Sequence, residues 1–195
     1  MERLVEDAYG ADIIITTYEI LSRFINRLHS VRSITIVGGN HDRIHEHKEV
    51  SEKGDVAKII SYFLEKKFPS LDIIYDDIIT SKEVDGINFV LTHGHYGLLN
   101  KNTLGELLFS YGKQNMFNLL LSGHIHSRKS TYPDRMGIMK DFAQYRHIVA
   151  PSIFTGNFFS ESSGWTSSGG FLIITNKDGL PLIEDIPLKQ ELKWT

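Results

Sequence analysis

Phe117-Asn118-Leu119-Leu120-Leu121, followed directly by Ser122-Gly123-His124-Ile125-His126, is the stretch that decides the fold. Its first half is a short run of mostly large apolar residues, which is typical of a buried β-strand. The glycine after Ser122 lets the backbone turn sharply and approach a ligand closely. Two histidines, one residue apart, then stand just past the end of the strand, and this arrangement predicts a chemical site there.

Two other apolar runs end in the same way. Residues 34–37 lead into Gly38-Gly39-Asn40-His41-Asp42, and residues 87–91 lead into Thr92-His93-Gly94-His95. Because ligands of open α/β sheets bind beyond the carboxyl ends of the strands, we expect the three clusters to meet at one edge. That edge is the predicted active site.

The composition is that of a globular protein. The chain has 195 residues, of which 41% are hydrophobic, so we expect one domain over residues 1–195 with a core of its own. The absence of cysteine excludes disulfides, thiolate metal sites and cysteine nucleophiles. Since no apolar run approaches the roughly 20 residues that cross a bilayer, and no secretory signal is evident, we expect a cytoplasmic protein without a membrane partner.

The charge pattern gives nucleic-acid binding little support. The formal net charge is −3, and the lysines and arginines are scattered along the chain. Extended nucleic-acid surfaces usually carry a basic stripe, which this sequence lacks. Bound metal ions would add local positive charge that the composition does not count, so a nucleic-acid partner stays open.

The apolar periodicity predicts mixed α and β structure. Helical spacing runs from Asp12 to about Ser30, and again from Asp55 to just before Pro69. A weaker third helix is expected from Thr103 to about Gln114, because two glycines interrupt its pattern. The predicted strands are residues 33–37, 71–75, 77–80, 87–91, 117–121, 146–150, 171–175 and 180–186. Turns or loops are predicted at residues 82–86, 127–140, 155–170 and 176–179.

The histidine pairs carry the chemical signal. His93/His95 and His124/His126 each follow a predicted strand with one residue between them. Alternate side chains of an extended segment point to the same side, so such a pair can converge on a metal ion. Neutral imidazole is the commonest metal ligand, which favours metal binding over core packing for His93, His124 and His126. His95 is expected to orient a neighbouring residue, and His147, which precedes a strand, is assigned no role.

The first cluster is ambiguous when it is taken alone. An asparagine after two glycines is most often a turn residue, but the amide oxygen of Asn40 can also coordinate a cation. His41 beside Asp42 is typical of an acid oriented by a carboxylate, which protonates a leaving group or stabilises negative charge. Arg43 is either a phosphate contact or an ordinary surface arginine.

In their order and spacing, the three motifs resemble those of the calcineurin-like metallophosphoesterases. The resemblance covers residue 12 to about residue 185. It implies a two-layered β-sandwich flanked by helices, with a two-metal site that hydrolyses phosphate esters. The residues that it implies are Asn40, His93 and His124 for one metal, His126 for the other, and His41, with Asp42 behind it, for the leaving oxygen.

The sequence departs from the family pattern before residue 38. Neither the Asp-x-His motif nor the Gly-Asp motif, which supply further ligands and the bridging carboxylate, is present there, and Asp7 and Asp12 lack a preceding strand. The chain is therefore expected to lack the first one or two strands and to hydrolyse esters poorly. We expect it to hold one ion, or none, where the family holds two. An open sheet edge would also favour homo-oligomers.

Several alternatives stay open for the metal, the substrate and the function. The ligand types allow manganese, iron, zinc or nickel, because sites of nitrogen and oxygen ligands select poorly among these metals, and manganese is the first expectation. The substrate is expected to be a phosphodiester or a phosphomonoester. A nuclease domain is one rival interpretation, and a non-catalytic binding or assembly module that keeps the fold is another.

Overall fold

The computed structural model describes residues 11–40, 55–95, 106–107, 109–123, 137–142, 145–153 and 169–188, and these contain both α-helices and β-strands. The mixed α/β class that the sequence predicts is confirmed. Two compact units make up the chain, Met1–Ile79 and Thr80–Thr195. The expectation of one domain stays a prediction.

Two amphipathic helices belong to the first unit. Helix α1 spans Ala11–Arg27 and helix α2 spans Asp55–Lys67, close to the predicted segments. The chain leaves α1 before the expected end near Ser30, which has a left-handed φ of 64° that an α-helix does not accept. No helix in the described ranges is long and apolar enough to cross a membrane.

A two-stranded parallel sheet completes the first unit. Strand β1 (Ser33–Val37) pairs in register with strand β2 (Asp72–Asp76). The apolar stripes of both helices are packed with this sheet into one core. Its members are Ile25, Ile60, Leu64 and Ile73, with Ile14, Tyr18, Leu21, Ile34, Ile36, Val56, Phe68 and Leu71 packed against them. Periodicity every three or four residues thus predicted the buried face of α1 correctly.

The second unit is built on a five-stranded sheet. The order of its strands is β3-β4-β5-β7-β6. Their bounds are β3 Ile79–Val84, β4 Ile87–Thr92, β5 Phe117–Ser122, β6 Gly137–Phe142 and β7 Tyr145–Val149. The strands β4, β5 and β7 run parallel to one another, whereas β6 pairs antiparallel with β7. Parallel strands place their carboxyl ends at one edge, which is what positions the candidate site.

A hairpin of β8 (Gly170–Lys177) and β9 (Leu180–Pro187) forms the second layer of this unit. Its inner side chains pack against one face of the five-stranded sheet, as the predicted sandwich requires. The shared core contains Ile87, Leu119 and Ile148 from the sheet, with Phe89, Phe117, Leu121, Leu172, Ile174 and Ile183 around them.

Two Asp-Gly pairs close the tight turns of this unit. Asp85 and Gly86 have φ values of 48° and 78°, and Asp178 and Gly179 have values of 56° and 82°. Positive φ at both central residues defines a type I′ turn, whose twist matches that of the flanking strands. The predicted turn at residues 82–86 is therefore too long, because residues 82–84 already belong to β3.

Two further boundary predictions are wrong. Residues 137–140 of the expected loop at residues 127–140 belong to strand β6, which begins at Gly137. This strand forms because its backbone pairs with β7 at the sheet edge. No local sequence pattern predicts such pairing. Residues 106–107 and 109–111 are helical, but the segment ends before Gly112 rather than near Gln114. The expected start of that helix, at Thr103, lies outside the described residues.

Candidate functional site

The strands β4 and β5 end at the same level of the sheet. They pair in parallel register from Ile87 with Phe117 to Thr92 with Ser122. The register continues one residue further, since the Gly123 N–H donates to the Thr92 carbonyl oxygen at 3.3 Å. His93 and Gly123, the first residues after these two strands, therefore lie side by side at this edge of the sheet.

Gly123 lies directly against the His93 imidazole. A Cβ atom added to Gly123 would stand 3.5 Å from His93 Nδ1 and 3.6 Å from the His93 carbonyl oxygen. Because glycine has no side chain, residue 123 covers this flank of the ring with backbone alone. His124 is the next residue along the chain but lies outside the described residues. The structure thus brings the segment that leads into one predicted ligand against another predicted ligand.

The turn that carries His93 is held by its neighbours. Gly94 has a φ of 94°, a conformation that favours glycine, and its N–H donates to Thr92 Oγ1 at 3.2 Å. The rings of His93 and His95 meet edge to face, with 5.3 Å between their centroids, and His95 is only 6% exposed. This geometry suits the predicted role of His95 in orienting a neighbour, which stays a prediction.

A buried hydrogen bond that the sequence did not reveal lies beside this turn. Ser122 Oγ and His147 Nε2 are 2.8 Å apart, and the two residues are 2% and 3% exposed. Burial lowers the pKa of His147 from 6.5 to about 4, because the charged imidazolium would lose its hydration. His147 lies inside β7, and its place beside an apolar pair, Ile148-Val149, was the only sequence signal that it is buried.

The first unit carries Asn40 in an equivalent position on its own sheet. Asn40 is partly buried and follows β1 after two glycines, the first of which donates its N–H to the Asp76 carbonyl oxygen at 3.0 Å. The Asp76 carboxylate accepts hydrogen bonds from the backbone of Ile78 and Ile79 at the end of β2. Asn40 therefore lies at the carboxyl edge of its own sheet, and both its meeting with the histidine clusters and its role as a ligand stay predictions.

Five of the predicted site residues lie outside the described residues, namely His41, Asp42, Arg43, His124 and His126. Among the side chains that the structure does describe, no group of three or more histidines and carboxylates is placed to hold a metal ion. The described part of the site thus consists of His93, its turn, and the glycine that faces it.

Comparison with known proteins gives structural likenesses at low sequence identity. No protein-family model matches the chain, and no curated protein matches it. A Streptococcus pneumoniae TIGR4 structure, described as a conserved uncharacterized protein and predicted phosphoesterase, is 12% identical with a TM-score of 0.46. The match covers 93% of this chain and 85% of that one.

Two structures of mutants of Vps29 from Entamoeba histolytica are 13% identical, with TM-scores of 0.41 and 0.43, and the matches cover 86% of this chain and 89% of theirs. The named neighbours are members of the calcineurin-like metallophosphoesterase fold. Because these TM-scores lie below 0.5, the likenesses establish neither a substrate nor an activity for this chain.

Proposed function

We propose that the chain is a metal-dependent hydrolase of phosphate esters, with its site where β4 and β5 end. The observation that carries this proposal is the closeness of position 123 to the His93 ring: a Cβ atom added to Gly123 would stand 3.5 Å from His93 Nδ1. Parallel pairing in register ends β4 and β5 at one edge of the sheet, where the ligands of α/β proteins bind, and each predicted histidine pair follows one of these strands in the sequence.

The residues present suit a divalent cation. Imidazole nitrogen is the commonest protein ligand for metals of this kind, and residue 123 places no side chain beside His93 Nδ1. His93 and His124 would hold one ion, and a second ion held by His126 alone would bind weakly. Asn40 is retained as a further ligand on the sequence resemblance alone. Manganese is the first expectation, because such nitrogen and oxygen ligands discriminate weakly and availability then decides.

Each residue has a separate task in this proposal. A bound divalent cation supplies Lewis acidity toward a phosphoryl oxygen. The His93 turn, held by the bond from Gly94 N–H to Thr92 Oγ1, keeps the imidazole in one orientation. His41, oriented by Asp42, would give a proton to the leaving oxygen, and Arg43 would bind the phosphate through its guanidinium group.

Metal binding and hydrolysis test the proposal together. We would measure Mn²⁺ binding by calorimetry, and hydrolysis of bis(p-nitrophenyl) phosphate and p-nitrophenyl phosphate, with and without EDTA. His93→Ala and His124→Ala should each weaken Mn²⁺ binding by about 100-fold, because each removes a ligand. His29→Ala is the matched control, since His29 is an exposed histidine of the first unit. Equal Mn²⁺ affinity in His93→Ala and in the unmodified chain would refute the proposal.

A binding or assembly module is the second candidate. Such a module keeps the fold and uses the same edge of the sheet for binding rather than for hydrolysis. The same measurements separate the two functions. Mn²⁺ binding that depends on His93, together with no hydrolysis of either ester, would support the second candidate. Hydrolysis that depends on added Mn²⁺ would exclude it.

A further inference from the structure

A row of buried polar side chains runs beneath the candidate site. Thr92 is paired with Ser122 across β4 and β5, and Leu120, two residues before Ser122, is paired with His147 across β5 and β7. Because paired residues and residues two apart share a face of a sheet, Thr92, Ser122 and His147 lie on one face. They are 5%, 2% and 3% exposed, so water is largely excluded from this row.

The hydrogen bond between Ser122 and His147 has a preferred direction. His147 Nδ1 has no hydrogen-bond partner among the described residues. A buried N–H without an acceptor costs more free energy than a buried ring nitrogen without a donor. Nδ1 is therefore the unprotonated nitrogen of His147, and the proton is on Nε2. The Nε2–H then donates to Ser122 Oγ over 2.8 Å. Ser122 is thus held to β7 by its side chain.

The backbone of Ser122 is tied to the same part of the chain. Its carbonyl oxygen accepts the Ala150 N–H at 2.7 Å, directly beyond β7. The next residue is Gly123, which lies against His93. Any displacement of Ser122 therefore moves Gly123 relative to the His93 ring.

We propose that Ser122 and His147 are positioning residues that hold Gly123, the residue before His124, beside the His93 ring. The inference rests on the proposed function, because that function assigns His93 and His124 to one metal ion. Neither residue contacts the ion in this proposal; both act through the backbone of Gly123. Partners that orient ligands in this way commonly contribute about 10- to 100-fold to metal affinity.

Four variants test the pair. Ser122→Ala and His147→Leu remove the hydrogen bond, whereas His147→Gln keeps an amide N–H close to the position of Nε2. Ile148→Ala is the matched control, since it creates a cavity in the next residue of β7, which is 0% exposed and faces the opposite core. Mn²⁺ affinity is measured by calorimetry, the geometry of the site by the visible spectrum of Co²⁺-loaded protein, and folding by thermal unfolding without metal.

We expect Ser122→Ala and His147→Leu to weaken Mn²⁺ binding about 10-fold or more and to alter the Co²⁺ spectrum. His147→Gln should bind within about 3-fold of the unmodified chain, and Ile148→Ala should unfold earlier while its Co²⁺ spectrum is unchanged. If Ser122→Ala and His147→Leu behave like Ile148→Ala, the pair is merely structural and the inference is wrong, while the proposed function stands. If the unmodified chain binds neither Mn²⁺ nor Co²⁺, the proposed function and this inference both fail.

Discussion

The two ends of β4 and β5 use buried polar groups for different purposes. At the amino end, Asn88 and Asn118 face each other across the strands, and both are 0% exposed. The Asn118 amide accepts from Asn88 Nδ2 and Lys113 N–H, and it donates to the carbonyl oxygens of Lys113 and Met116. This network fixes the segment that leads into β5, so its polar groups stabilise the fold.

The carboxyl end of the same face carries a different set of groups. Thr92 Oγ1 accepts the Gly94 N–H there, and Gly123 places no side chain beside the His93 ring. A histidine with a pKa near 4 is buried beside Ser122, and it stays neutral near pH 7. The amide network at the amino end serves the fold, whereas the carboxyl end carries the proposed chemistry, which needs ligands held in fixed positions.

Replacing Asn118 should produce the largest loss of stability. Asn118→Ala removes four hydrogen bonds and leaves their buried partners unsatisfied, so we expect unfolding free energy to fall by about 3–5 kcal/mol. Asn88→Ala removes two hydrogen bonds and should cost about 2 kcal/mol. Urea unfolding measures both. Equal losses in the two variants would contradict the central place given to Asn118.

Substitution of Gly123 should instead act on metal binding. The Cβ of Gly123→Val would lie in ordinary contact, 3.5 Å from His93 Nδ1, and its two further carbons would crowd that flank. We expect Mn²⁺ affinity to fall about 100-fold, which is about 2.7 kcal/mol, with a smaller change in stability. Calorimetry and thermal unfolding measure the two quantities.

Gly179→Ala is the control for this prediction, since it should lower stability without changing Mn²⁺ affinity. Gly179 has open space around it but a φ of 82°, so alanine there should cost about 1 kcal/mol of stability through backbone strain. Its Mn²⁺ affinity should stay that of the unmodified chain. If Gly123→Val binds Mn²⁺ equally well, the carboxyl end of β5 is not part of a metal site.

Acid should destabilise the protein through His147. The pKa of His147 is 6.5 in the unfolded chain and about 4 in the folded chain. Between these two pH values His147 is therefore mostly protonated in the unfolded chain and mostly neutral in the folded chain. Stability from this group is therefore complete above pH 6.5 and is lost as the pH falls toward 4. The loss between pH 7 and pH 5 should be about 2 kcal/mol. Urea unfolding at both pH values, in the unmodified chain and in His147→Gln, isolates the contribution of His147 to the unfolding free energy. If the variant loses as much stability between pH 7 and pH 5 as the unmodified chain, His147 is not the cause.

The smallest effect is expected at the surface of the amino end. Lys113 Nζ and Glu83 Oε2 are 3.0 Å apart, but their side chains are 47% and 49% exposed. Water and salt screen such a pair, so a double-mutant cycle with Lys113→Ala and Glu83→Ala should give about 0.2–1 kcal/mol of coupling. The coupling should shrink further in about 1 M salt. A value above about 2 kcal/mol would show that this end depends on charge as well as on its amide network.

Local patterns were sufficient for much of the fold. Both helices of the first unit, the strands β4 and β5, and the Asp85-Gly86 turn follow from the spacing of apolar residues and from turn chemistry within a few positions. Strand β6 was missed because it forms through pairing with β7, and such pairing is not encoded within the segment itself. Residues 82–84 were expected to be part of a turn but belong to β3, because this strand likewise forms through its pairing with β4.

The amino-acid sequence alone determined that apolar strands are followed directly by glycine and histidine. The family resemblance rests on the same pattern. Only the tertiary structure decided which side chains meet across the strands. Asn88 reaches Asn118 over 30 positions and Ser122 reaches His147 over 25, and neither separation has a local signature. Hydrophobic periodicity reports which face of an element is buried, whereas strand register, set by long-range pairing, determines the partner that each buried polar group finds there.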